Sequence, residues 1–476
     1  MVIPNHFCEG DQGLEGPAQR HRWTSLGVLF AILLLALVVR YATAWYLRPV
    51  PTSDFKIYWD IAMGLAEGRG YVMGGVPSAF RPIGYPLLLS LVIRLFGPRW
   101  WYAVLAQVLM STAIVAATYW FTRRLFGTSA GLAAAALTAL MPDHVLWSTV
   151  LNSEIPAMLC TLLAVTLWIP ARPASACPFP PLWVLLASGV LLGLASLTRP
   201  VMLPVPTLYF VYAWLTTRTR EGGQPGRPFW RRVAWRPVVA GTFVLTLGMV
   251  LVVGPWTVRN YVTLGALVPV STNGGVNLWQ GNNPNATGGF YWSDDPAVNP
   301  ILRLSDEVEQ DRLGRRLALQ WIREHPWDFL KLGFIKWGWL LTDVRTAVFF
   351  TLQQPSRPLP TLLVPLSILI LKAGLYSLLA LTLAGIRMWW LAGRPGSSGR
   401  YLKRARTSVP VLFLAFMLAL HFVFPGWDRF RFPFTPFMLA LAGLAVTTWG
   451  RRRAAIGRVL PDGPGDAAPR SSARSW

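Results

Sequence analysis

The stretch SDFKIYWDIAMGLAEGRGY (Ser53–Tyr71) directly follows the first long apolar run of the chain. Asp54 stands three residues past Pro51, and Ile57, Ile61, Met63 and Leu65 behind it predict an interfacial helix with Asp54 near its N-terminus. From position alone an acid there is a capping or first-turn charge favoured by the helix dipole. In the next motif, AFRPIGYPLLLSLVIRLFG (Ala79–Gly97), Arg81 precedes Pro82 and is therefore extended or in a turn. Its guanidinium suits either bidentate contact with a phosphate or snorkelling to lipid headgroups. LNSEIPAML (Leu151–Leu159) places Glu154 at a span end, either as a first-turn acid behind Asn152 and Ser153 or as a functional membrane carboxylate. Asp143 and His144 nearby read mostly as structural.

Three further stretches carry polar groups between apolar runs. ASLTRPVMLPVP (Ala195–Pro206) puts Arg199 on the side where basic residues are disfavoured, so it either snorkels or binds an anion. PWTVRNYVTLGALVPVSTNGGVNLWQGNNPNATGG (Pro255–Gly289) holds Arg259, the amides Asn260, Asn273 and Asn282, and Trp279. Amides that bond hydroxyls and an aromatic face that packs on a pyranose ring suit a sugar-binding loop. A turn-rich loop with an interfacial Trp reads the same way. WDRFRFPFTP (Trp427–Pro436) sets Asp428, Arg429 and Arg431 among aromatics, the composition of a salt-bridged interfacial belt.

The elements that position these residues follow from composition. The chain has 476 residues, 53% hydrophobic and 14% charged, with a net charge of +23. A soluble domain carries about 25% charged residues. Of the 44 basic residues only five are Lys, and the arginines lie between apolar runs too long for soluble cores, so a nucleic-acid binder is excluded and a polytopic membrane protein remains. A spanning helix needs about 20 apolar residues. Ten runs qualify, near 24–45, 100–121, 129–147, 155–170, 182–198, 200–217, 237–257, 361–388, 408–425 and 435–450. The arginine-rich segments 218–236 and 392–407 and the tail from Arg451 mark the inner side. Segments 46–98 and 258–330 carry 11 of the 21 acidic residues and form two long outward loops. Segment 329–343, interrupted by Lys331 and Lys336, reads as a helix at the outer interface, and a second crossing within 361–390 would raise the count to twelve. Arg40 and Lys372 fall inside apolar runs; Arg40 is near enough to the outer end to snorkel. Cys8, Cys160 and Cys177 form no metal-binding or disulfide pattern, and the five histidines show no metal spacing.

An outward Asp after the first span, Tyr58 four residues on, the "LAEGRGY" stretch, "FRPIGYPLLL" and "STNGGVNLWQGNN" together resemble the GT-C superfamily of integral membrane glycosyltransferases, in particular the protein O-mannosyltransferase and aminoarabinose transferase families. The resemblance covers about residues 24–450. It implies an all-α GT-C fold of about 10–12 transmembrane helices, with interfacial helices in the outer loops. Residues 1–450 would form one catalytic domain and 451–476 a basic disordered tail. It makes Asp54 the catalytic base and Glu154 the second acid, positioning the acceptor or holding Asp54. Tyr58 joins the substrate site with Asn260, Asn273, Trp279 and Asn282. The residues facing the donor phosphate would be Arg81, Arg199, Arg259, and Arg429 or Arg431, with Arg431 chosen. Relatives with a second acid beside the first, or one before the basic residue, have it where this chain has Phe55 and Phe80, so no metal site and no cofactor is indicated.

The implied activity is inverting transfer of a sugar from a polyprenyl phosphate to a glycan, lipid or protein acceptor outside the cytoplasmic membrane. Two other classes stay open. A flippase of lipid-linked sugars would carry its ionisable groups at mid-bilayer on broken helices. A polymerase or ligase would release a pyrophosphate-linked lipid.

Overall fold

The computed structural model describes residues 17–170, 179–218, 235–392, 405 and 407–457, with side chains described between residues 24 and 451. Most of the basic segments at 218–236 and 392–407, most of the tail, and Cys8 and Cys177 lie outside the described residues. In chain order the helices are α1 (Pro17–Leu47), α2 (Ser53–Ala66), α3 (Gly84–Phe96), α4 (Trp100–Phe126), α5 (Thr128–Leu140), α6 (Pro142–Trp147), α7 (Glu154–Trp168), α8 (Leu182–Thr198), α9 (Val205–Arg218), α10 (Trp235–Leu264), α11 (Gly274–Gly281), α12 (Glu307–Glu324), α13 (Pro326–Thr342), α14 (Arg345–Val348), α15 (Val364–Ala392), α16 (Val409–Val423), α17 (Asp428–Arg431) and α18 (Thr435–Gly457). A hairpin, β1 (Val72–Met73) with β2 (Val76–Pro77), interrupts the first outer loop. Gly74 and Gly75 both take positive φ there, as a two-residue hairpin turn requires.

Every apolar run picked out by hydropathy contains a helix. Within the described residues, five are long and apolar enough to cross a bilayer: Thr24–Leu47, Trp100–Phe126, Trp235–Leu264, Thr361–Ala392 and Asp428–Arg451. The others are shorter, and prolines account for two of them. The run 129–147 breaks at Met141, whose extended ψ of 115° is what a residue before proline adopts, and α6 restarts with Pro142 at its first position. The run 200–217 opens with a 3₁₀ turn at Pro200–Met202 before α9 begins at Val205. At the other extreme α10 passes through Pro255 and continues to Leu264, so Arg259 and Asn260 lie on a helix, not in a loop. The last helix runs to Gly457, beyond the start at 451 of the expected tail.

The outer surfaces of α1, α10 and α15 expose large apolar side chains such as Phe30, Phe243 and Leu369. Exposed apolar surface on this scale belongs against lipid, not water. Inside, small residues let backbones close up. A Cβ on Gly189 of α8 would overlap the Leu245 carbonyl of α10, and one on Gly248 of α10 would overlap the Leu186 carbonyl of α8. Close approach of this kind is how helices associate where lipid removes the hydrophobic drive.

Arg40 does not snorkel. It is fully buried, donating from Nε to Ser111 Oγ (2.9 Å) and from its terminal nitrogens to the carbonyls of Ala36, Thr138 and Ala139. Thr138 and Ala139 close α5, whose last carbonyls lack helical partners, so Arg40 caps the break before Pro142.

The packing leads to a stability prediction. Gly189→Ala must push α8 from α10 and should cost about 1–3 kcal/mol, seen as a lower melting temperature in detergent. Gly254→Ala, where an added Cβ meets nothing within 4 Å, should leave that temperature unchanged or raise it.

Candidate active site

Three short chain segments converge on one charge cluster. The first is the start of α2. Ser53 takes a left-handed φ of 51°, an unfavourable conformation for a non-glycine residue that persists only when its surroundings fix it. The chain then enters α2 with Asp54 in the first turn. Phe55 and Tyr58 on the buried side of that turn anchor it, packing edge-to-face on Phe350 (centroids 5.2 Å) and Tyr85 (5.4 Å). The second is the start of α7, where Asn152 Oδ1 accepts from the Ile155 N–H and so caps the helix that begins with Glu154. The third is α17, a single turn whose leading Asp428 accepts from the N–H groups of Ala347 (3.0 Å) and Arg429 (2.6 Å) and thereby aims Arg429 inward.

Arg429 joins the other two segments. Its Nη1 donates to Asp54 Oδ2 at 3.0 Å, and its Nε donates to Glu154 Oε1. Its guanidinium also lies over the Phe55 ring, 5.5 Å from the centroid. Two more arginines complete the cluster. Arg81 Nη2 donates to Asp54 Oδ1 at 2.6 Å, and Arg199 Nη2 pairs with Glu154 Oε1. Gly84 explains how these two come together: a Cβ there would strike the backbone of Leu197 and Thr198, so only glycine lets the Arg81 loop lie against the end of α8 that carries Arg199. Three guanidiniums against two carboxylates leave one positive charge over.

Exposure divides the cluster. Glu154 and Arg429 keep 1% and 4% of their side-chain surface, whereas Asp54, Arg81 and Arg199 keep 22%, 23% and 17%. The last three can meet a substrate. Burial alone would raise the Asp54 pKa, but Arg81 and Arg429, with Arg199 behind them, outweigh it and hold the carboxyl below its usual value. Arg199 is drawn down to about 9 by burial and by its neighbour Arg429, and stays cationic at neutral pH. Arg81 Nε and Glu154 Oε2 are buried atoms with no protein partner.

The remaining candidates make no ion pair in this cluster. Arg431, two residues beyond Arg429, points the other way: it is fully buried, donating to Asp143 Oδ2 at 3.1 Å and to the Leu340 and Asp343 carbonyls. Arg259 sits over Trp256 and ties α10 to the first outer loop through the carbonyls of Tyr71 (3.0 Å) and Ser78 (2.7 Å). It stands behind Arg81, whose carbonyl accepts from the Tyr71 hydroxyl. Asn260 is buried and donates to the Val268 carbonyl, and Asn282 is buried and donates to those of Leu278 and Val423. Asn273 precedes α11 and accepts from Ser271, and Trp279 is half-buried on α11. Tyr58 is buried next to Ser153, its hydroxyl 3.5 Å from Oγ. Arg429, not the chosen Arg431, is the cluster residue; the two arginines share one short motif, and only the direction of α17 separates them. No group of three His, Cys, Asp or Glu side chains among the described residues could hold a metal.

A family model described as dolichyl-phosphate-mannose-protein mannosyltransferase matches residues 80–224, which include Arg81, Glu154 and Arg199. No curated relative matches the sequence. In fold the chain is similar to the Archaeoglobus fulgidus oligosaccharyltransferase in its apo form, with a TM-score of 0.54 and 13% identity over 93% of this chain and 53% of that one. The same archaeal protein in complex with an inhibitory peptide and a dolichol-phosphate gives a TM-score of 0.51 at 13% identity, over 94% and 53% of the two chains. This chain therefore spans about half the length of those structures. ArnT from Cupriavidus metallidurans bound to undecaprenyl phosphate aligns at a TM-score of only 0.40, with 17% identity over 91% and 80% of the chains. By fold the chain is similar to those oligosaccharyltransferase structures, and the family match adds a likeness to the mannosyltransferases across residues 80–224.

Proposed function

We propose that the protein transfers a sugar, with inversion, from a polyprenyl phosphate to an acceptor hydroxyl on the outer face of the cytoplasmic membrane. The observation that carries this reading is the cluster itself: a partly exposed carboxylate held ionised beside two partly exposed guanidiniums, with one positive charge in excess. The donor's hydrocarbon tail would lie in lipid beside the helices and its phosphate against Arg81 and Arg199. The acceptor oxygen attacks the anomeric carbon while the bond from that carbon to the phosphate oxygen breaks. The electron pair leaves on the phosphate, and the acceptor proton passes to Asp54. The arginines stabilise charge as it develops on the leaving group. Glu154, bridged to Asp54 through Arg429, holds the base in place. The outward orientation rests on the inner-side arginine excess of 218–236 and 392–407.

The direct assay mixes purified protein with a defined polyprenyl phosphate sugar and follows glycosidic product and released lipid by mass. Polyprenyl monophosphate should appear. Asp54→Asn should fold normally and lose about 10²–10⁴-fold in kcat, the usual contribution of a general base; wild-type transfer by that variant would remove Asp54 from the chemistry.

The lowered Asp54 pKa sets the pH behaviour. Its pairing contributes stability and activity above the ordinary carboxylate range, and both are lost only as pH falls through the lowered value. The acid limb of kcat/KM should therefore lie below the ordinary carboxylate range, and Arg81→Gln should move it upward. A limb that does not move would contradict the pairing.

Arg81 and Arg431 should also separate in stability. Arg431→Gln strands the buried Asp143 and should cost about 3–5 kcal/mol in thermal unfolding. Arg81→Gln, at a partly exposed position, should melt closer to wild type than Arg431→Gln.

A further inference from the structure

Arg429 reaches the cluster from a turn, Phe424–Trp427, that links α16 to α17. That turn is gripped from outside the site. Lys336, on α13, is fully buried and has no carboxylate partner among the described residues. Its ammonium has three protons and three acceptors: Asn282 Oδ1 at 2.8 Å, the Val423 carbonyl at 2.8 Å and the Phe422 carbonyl at 3.3 Å. The two carbonyls belong to the last turn of α16, where helical partners run out and the dipole is negative, so a cation there is favoured. Asn282 also donates to the Val423 carbonyl, closing a triangle between the loop after α11, the end of α16 and α13.

The rest of the turn is fitted around this point. A side chain at Gly426 would overlap the Lys336 carbonyl, so the backbones touch there. The Gly426 N–H donates to the Gly288 carbonyl at 2.9 Å. Pro425 packs on Gly281, and Trp427 stacks on Phe290 with centroids 4.8 Å apart. One residue later comes Asp428, then Arg429.

We infer that Lys336 is a positioning residue for the transfer reaction: its ammonium pins the end of α16 to the loop after α11, and so fixes the turn that delivers Arg429 between Asp54 and Glu154. It touches neither carboxylate and acts only through Arg429. Burying an ammonium with no carboxylate partner is costly, and replacing it by an apolar side chain of similar length would spare that cost. Holding Arg429 in place accounts for an ammonium at this position better than stability does. This inference rests on the proposed function for its kinetic consequence, but the latch itself can be measured without catalysis.

The experiment compares wild type with Lys336→Met, Lys336→Gln and Lys336→Arg in the full-length protein. Hydrogen exchange should accelerate at least tenfold for amides of residues 424–431 in Lys336→Met, with α4 and α7 unchanged. In the transfer assay kcat should fall at least tenfold while the donor KM stays within about twofold, and Lys336→Arg, which keeps charge and donors, should recover at least half of the loss. If Lys336→Met does not fold, Lys336→Gln should show the same changes in smaller degree. Unchanged exchange in the turn would overturn the latch. Accelerated exchange with unchanged kcat would overturn the positioning role. If wild type transfers no sugar at all, the proposed function fails, and the exchange arm alone decides whether Lys336 holds the turn.

Discussion

One guanidinium holds the site together. Arg429 bonds Asp54 and Glu154 at once from 375 and 275 residues away in the chain, and the three residues come from α17, α2 and α7. Two carboxylates this close would repel, and each would tend to take up a proton. The bridging cation makes their proximity favourable and, together with Arg81, keeps Asp54 ionised. Glu154 and Arg429 are almost fully buried, so removing either would leave an uncompensated charge inside the bundle.

Around that bridge the fold sorts its arginines by solvent access. Arg40 and Arg431 are sealed in the helix bundle, each spent on backbone carbonyls left over where a helix ends. Arg259 fastens the first outer loop to α10. Arg81 and Arg199 alone combine a place in the carboxylate cluster with enough exposure to receive an anion from outside. Close backbone contacts set this up: Gly84 against α8 brings Arg81 to Arg199, and Gly426 against α13 sets the course of the chain toward Arg429.

Hydropathy made the helices legible because a membrane span is defined by composition and length. It was blind to proline breaks inside a continuous apolar run, as at Pro142 and Pro200, since those depend on local backbone geometry. Asp54, Glu154, Arg81 and Arg199 stood out as ionisable groups at span ends, and the structure places them together. Arg429 and Arg431 were indistinguishable because they share one motif, and a single helical turn sends them opposite ways. Asn260 and Asn282 carry amides that would serve a sugar hydroxyl or a backbone carbonyl equally well, and here they meet carbonyls. Arg40 lies close enough to a span end to reach headgroups, but the α5 terminus inside the bundle offered it better acceptors. The excess of +23 is mainly a record of topology. The proposed chemistry lies with the few arginines set against that trend.

The most direct measurement is an experimental structure with a polyprenyl phosphate sugar bound. The account predicts the phosphate within hydrogen-bond distance of Arg81 and Arg199, with the anomeric carbon facing Asp54 and the lipid tail leaving between the helices. A phosphate bound away from both arginines, or a sugar on the far side of the cluster from Asp54, would contradict it.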